Sequence, residues 1–224
     1  MPTLLDLVKS VSFLAAMPAV AGLLITAGIL VISRDWRLNV IALTVQYFFV
    51  VLLLTRQIHL EVAAVKGLIG WLICMVFYLT ERRAGTLEQP AQAEEAAPAQ
   101  RWRRWVMSAR ASFSLLAVIL ITVAAYTAAL RIPLPETEVP RDITLACYIL
   151  VGLGVLLIGI SESPMQVGLG LLTFLSGFDL FYVAIEPSLA VAGLLGGVSF
   201  LIALAAAYLR TVQAAAASTR EESA

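Results

Sequence analysis

The chain has 224 residues, of which 61% are apolar and only 13% charged, with 15 basic side chains against 15 acidic ones and a single histidine, His59. Soluble domains run at roughly 45–50% apolar and about 25% charged, so a water-soluble fold is excluded. The balanced charge gives no basic surplus for nucleic acid. The first partner implied is the lipid bilayer.

In chain order, Met1–Ser10 carries Asp6 ahead of Lys9 and lacks the basic start and small-residue cleavage site of a secretory signal, so this N-terminus is expected to be retained. Long apolar stretches then follow at Ser12–Ser33, Leu38–Leu54, Val62–Thr80, Ala111–Leu130, Ile143–Ile160, Met165–Ile185 and Leu189–Leu209. Each suits the roughly 17–25 helical residues that cross a ~30 Å hydrocarbon core. They are too long and too continuously apolar for membrane β-strands, and helices satisfy their own backbone groups in lipid. The fold class is therefore all-α, a polytopic membrane bundle of about seven transmembrane helices.

The connections are short and polar at Arg34–Arg37, Ser161–Pro164 and Glu186–Ser188, with proline placed where its missing N–H is harmless. The exception is residues 81–110. Their first part is rich in Ala, Gln, Glu and Pro and reads as a cytoplasmic linker unable to bury enough apolar area to fold. Their second part, with Trp102, Arg103, Arg104 and Trp105, reads as an interfacial anchor in the headgroup layer. This divides the chain into a first three-helix unit (1–80), the linker (81–110), a linking helix (111–130), a second three-helix unit (143–210) and a tail (211–224), which extends the last helix before fraying.

Counting cations sets the orientation. With the N-terminus outside, the inner face receives Arg34, Arg37, Arg82, Arg83, Arg101, Arg103, Arg104, Arg110, Arg210 and Arg220, and the outer face only Lys9, Arg56, Arg131 and Arg141. The positive-inside rule thus predicts an N-out, C-in, multi-pass protein of the cell's inner (plasma) membrane.

The two units resemble each other. Ala64-Val65-Lys66-Gly67-Leu68-Ile69-Gly70 aligns with Ala190-Val191-Ala192-Gly193-Leu194-Leu195-Gly196, identical at five of seven positions. Ile32-Ser33 likewise parallels Ile160-Ser161. Two parallel three-helix repeats joined by a linking helix are expected, related by an axis along the membrane normal.

Two ionisable residues sit well inside the predicted helices. Lys66 and Asp179 fall at a similar depth, ~6–9 Å below the outer helix ends, so they could pair, and intramembrane charges are functional candidates by default. The other readings are that Lys66 snorkels to the surface and Asp179 is satisfied locally. Gln46, Tyr47, Thr173, Ser176 and Tyr182 form a candidate interhelical polar seam to which no chemistry is assigned. Gly193 and Gly197, backed by Gly196, form a small-residue face that lets another helix come close, inside the chain or in another subunit. Cys74 and Cys147 lie in apolar stretches and read as inert buried thiols. No ligand cluster calls for a metal or other cofactor, and no paired carboxylates or Ser–His arrangement suggests an enzyme.

On the segment Glu162-Ser163-Pro164-Met165-Gln166-Val167-Gly168-Leu169-Gly170-Leu171-Leu172, the second unit resembles the three-helix NuoK-type subunit of complex I and its relatives in Mrp antiporters. In length and helix count the whole chain is similar to the HyfE-type component E of hydrogenase-4 complexes. Ser176 and Asp179 stand where that family often has asparagines. The family's buried glutamates would fall at Leu172 and near Gly193, so relay through those carboxylates does not carry over. The resemblance implies a non-catalytic, mainly structural subunit of a proton-translocating assembly, packed beside antiporter-like subunits. The rival reading is a stand-alone small carrier or channel built from the two repeats.

Overall fold

A computed structural model describes residues 17–56, 60–87, 109–131, 140–185 and 189–222. They form seven helices: α1 (Met17–Ile32), α2 (Trp36–Leu54), α3 (Leu60–Leu87), α4 (Ala109–Arg131), α5 (Arg141–Ile160), α6 (Pro164–Ile185) and α7 (Leu189–Glu222). Six are long and apolar enough to cross a membrane, and the described part of α1 is a shorter apolar helix of 16 residues. Large apolar side chains cover the outside as well as the core: Leu120 and Leu194 are each 68% exposed and Trp71 67%. Helices apolar on every face have lipid as their natural surroundings, and the chain is a multi-pass membrane protein. The expected start of the first helix at Ser12, the anchor Trp102–Trp105 and the Glu186–Ser188 turn lie outside the described residues.

Local chemistry explains the helix ends. Ser163 caps α6, accepting from the Gln166 N–H at 3.3 Å through its hydroxyl and from Val167 N–H at 3.1 Å through its carbonyl, with Pro164 as the first helical residue. Asp35 precedes α2 in the same way, its carbonyl accepting from Asn39 N–H at 3.0 Å. Pro140 opens α5, its carbonyl accepting from Ile143 and Thr144. Within the helices, Thr26, Thr44, Thr80, Thr122 and Thr173 donate to the carbonyl four residues back, so these hydroxyls are satisfied without leaving their own helix.

The helices form two rows of three, α1-α2-α3 and α5-α6-α7, neighbours touching within each row. Between rows the main contacts are like against like, α1 on α5, α2 on α6 and α3 on α7. Corresponding helices of the two parallel units thus lie side by side. α4 packs on α5 and α1 at one end of the rows. Its spanning stretch is only 11% buried, so it is largely peripheral.

One boundary is corrected. The linker expected from residue 81 begins later, because α3 continues to Leu87, while α7 runs on through the tail to Glu222 as expected. The reason is mutual packing past the apolar segments. Ala84 and Ala214 are completely buried, and Glu81 of α3 pairs with Arg210 of α7 at 3.2 Å.

The closest backbone approach lies between α5 and α6, at glycines the sequence reading passed over. A Cβ on Gly154 would lie 2.5 Å from the backbone nitrogen of Phe174, one on Gly177 2.9 Å from that of Val151, and one on Gly170 3.0 Å from that of Ile158. Of the predicted packing glycines, a Cβ added to Gly196 would lie 2.6 Å from the Ile69 side chain of α3, whereas among the described residues nothing lies within 4 Å of a Cβ on Gly193 or Gly197. Of the two partners left open for the Gly193–Gly197 face, the described part of the chain supplies none at that range.

Candidate functional site

Lys66 Nζ donates to Asp179 Oδ2 at 2.6 Å, and both side chains are 8% exposed. Of the readings the sequence left open, the geometry is the direct pair, with Lys66 held inward. Lys66 sits on α3 where the repeat has Ala192 on α7, and both positions are buried. The one non-conservative difference between the aligned segments is thus the position that reaches across to α6.

The surroundings are polar on one side. Tyr47 of α2 lies against Ser176 and near Asp179, and Ser176 donates to the Leu172 carbonyl of its own helix at 2.8 Å. Asp179 Oδ1 is buried without a hydrogen-bond partner, as are both amide atoms of Gln46 and the Asn39 carbonyl oxygen. Asn39 and Gln46 are seven residues apart on α2, so they share a face ~10 Å apart along it. Of the expected seam, Tyr47 of α2 and Ser176 of α6 come together, while Gln46 and Thr173 are buried on the same two helices, Thr173 donating to the Leu169 carbonyl of its own helix. Tyr182 lies against Phe178 of its own helix, ring centroids 6.4 Å apart.

Among the described residues, Lys66–Asp179 is the middle one of three ion pairs joining the rows. At one end Arg56, just past α2, meets Asp142 of α5 at 2.6 Å. At the other, Glu81 of α3 meets Arg210 of α7. Along α3, Lys66 and Glu81 stand 15 residues, ~22 Å, apart, so the cross-row pairs sit at three depths. Half-exposed Arg56–Asp142 is worth roughly 0–1 kcal/mol. The sequence reading missed both flanking pairs, although Glu81 and Arg210 are the first charged residues after two long apolar stretches. That shared position was the signal. Cys74 and Cys147 are buried free thiols.

Because the Gln46 amide has no partner, its removal is expected to be harmless. Gln46→Leu should leave stability in detergent unchanged or raise it by up to about 1 kcal/mol, since an unpaired buried amide costs desolvation that leucine does not. A loss of more than about 1 kcal/mol in a denaturant titration would mean that the amide is hydrogen-bonded in the membrane.

Comparison with family models, characterised proteins and solved structures returns no match for this chain.

Proposed function

We propose that the chain is a non-catalytic integral membrane subunit of a complex I-related or hydrogenase-like proton-translocating assembly, mainly structural, and packed beside antiporter-like subunits. The observation that carries this reading is the outward face of α7. Among the described residues, Gly193 and Gly197 have no neighbour within 4 Å of an added Cβ, and a small-residue face of this kind admits a second helix at close range. The kinship rests on the Glu162–Leu172 segment, which forms the α5–α6 turn and the start of α6. Leu172 is completely buried and Gly193 faces outward, so the positions of the family's glutamates suit packing and contact better than proton relay. The arginine-rich end, with Arg34, Arg37, Arg82, Arg83 and Arg210, is assigned to the cytoplasm, with the N-terminus outside, in the inner (plasma) membrane.

A photo-crosslinking residue at Gly197 should capture a large antiporter-like membrane protein in native membranes, and one at Gly196 should not. Recovery of the chain alone, with no adduct from Gly197, would remove the reading.

The second reading, a stand-alone carrier or channel, is favoured by the buried Lys66–Asp179 pair with its unpartnered carboxylate oxygen. Ion flux into vesicles holding only this protein, abolished in the stably folded Lys66→Met, Asp179→Leu double variant, would select it.

A further inference from the structure

The cleft between α2 and α3 carries features that neither reading uses. At its arginine-rich end is a groove of about 610 Å³ lined by Trp36, Arg37, Tyr78, Arg82 and Gly85, among others. Arg37 lies 5.3 Å over the Trp36 ring, and Trp36 and Tyr78 meet across the two helices with centroids 6.1 Å apart. Arg37 and Arg82 are both exposed. The one acidic side chain of the lining, Glu81, is turned to Arg210, so the groove presents a net positive charge. Gly85 adds no side chain at the mouth, and among the described residues nothing lies within 4 Å of a Cβ added there.

Further along the same cleft the lining turns apolar. A second, smaller cavity of about 200 Å³ is bounded by Phe48, Val51, Gly67, Trp71 and Cys74, among others. From Arg37 to Val51 is 14 residues, ~21 Å of helix, more than the ~15 Å acyl layer of one leaflet. The cleft thus has a cationic, aromatic head at the level of the headgroups and an apolar continuation as deep as an acyl chain.

The geometry points to a binding site for one anionic phospholipid in the α2–α3 cleft, its phosphate held by Arg37 and Arg82 at the mouth beside Gly85, and one acyl chain laid along α2 towards Val51. Arginine suits phosphate because its planar fork donates two parallel hydrogen bonds. Trp36 and Tyr78 suit the interface because each ring is apolar in body and polar at one edge.

The test is native mass spectrometry of the full-length protein in detergent, titrated with phosphatidylglycerol, with phosphatidylcholine of the same chains, and with soluble glycerol 3-phosphate. One phosphatidylglycerol per chain should be retained. Arg37→Gln with Arg82→Gln should weaken it about 30-fold, since each arginine near a lipid phosphate contributes a factor of about five. Gly85→Leu keeps every charge but fills the mouth, and should weaken it as well; it carries the test if the double variant does not fold. Equal retention of phosphatidylcholine would overturn the headgroup assignment. Displacement of the lipid by glycerol 3-phosphate would reduce the site to one for free phosphate and overturn the lipid. Undiminished phosphatidylglycerol binding by Gly85→Leu would overturn the location.

Discussion

Lys66→Met is expected to cost about 3–5 kcal/mol of stability, because it leaves the Asp179 carboxylate buried without its counter-charge. The two groups meet at 2.6 Å, and each is 8% exposed, so neither has water to fall back on. Removing both charges is expected to restore most of the loss: Lys66→Met combined with Asp179→Leu should be as stable as the parent or more so, since a buried pair often does no better than apolar side chains that fill the same volume. Denaturant titration of the parent, both single variants and the double variant in one detergent gives the coupling directly. Single variants as stable as the parent would sink the claim that this pair is a buried tie between the rows. The double variant also separates the two functional readings. A structural subunit that keeps the tie only for packing should still assemble and support its complex, whereas a carrier that moves an ion through this pair should fold and transport nothing.

The second large effect is expected at Gly154. An added methyl there would lie 2.5 Å from the Phe174 nitrogen and 2.8 Å from its Cα, and backbone atoms cannot swing aside as a flexible side chain can. Gly154→Ala should therefore cost about 1–3 kcal/mol, the usual penalty for overpacking, and Gly154→Leu should prevent the α5–α6 pair from forming. Gly193→Ala is the internal control. It adds the same methyl to a helix with nothing within 4 Å, so it should be neutral or gain about 0.5–1 kcal/mol from helix propensity in the isolated chain. Unfolding midpoints of the two alanine variants, measured side by side, decide the matter, and equal midpoints would contradict the interhelical geometry. If α7 receives another subunit's helix, Gly193→Ala should also weaken assembly while leaving the lone chain intact.

What was legible in the sequence is whatever depends on the chain's need to satisfy itself in lipid. The apolar stretches marked the helices because a backbone without water must close its hydrogen bonds locally, and their ends agree with the observed α2, α5 and α6 within two residues. Lys66 and Asp179 stood out because charges are rare at that depth, and their similar distance from the helix ends brought them to about one level. Which helices touch was not legible, because the small and polar residues that mark a packing face in lipid do not say which helix that face meets. Hence the like-on-like stacking of the two rows, the glycine approach between α5 and α6, and the outward turn of Gly193 and Gly197 had to come from the tertiary structure. The extension of α3 past Thr80 was hidden for a related reason. Glu81 and Ala84 read as the start of a polar linker, and become helix because Arg210 of α7 pairs with Glu81 and the packing of α3 on α7 buries Ala84. Local sequence thus determined the seven helices and the depth of the buried charges, and only long-range packing decided which neighbours they meet.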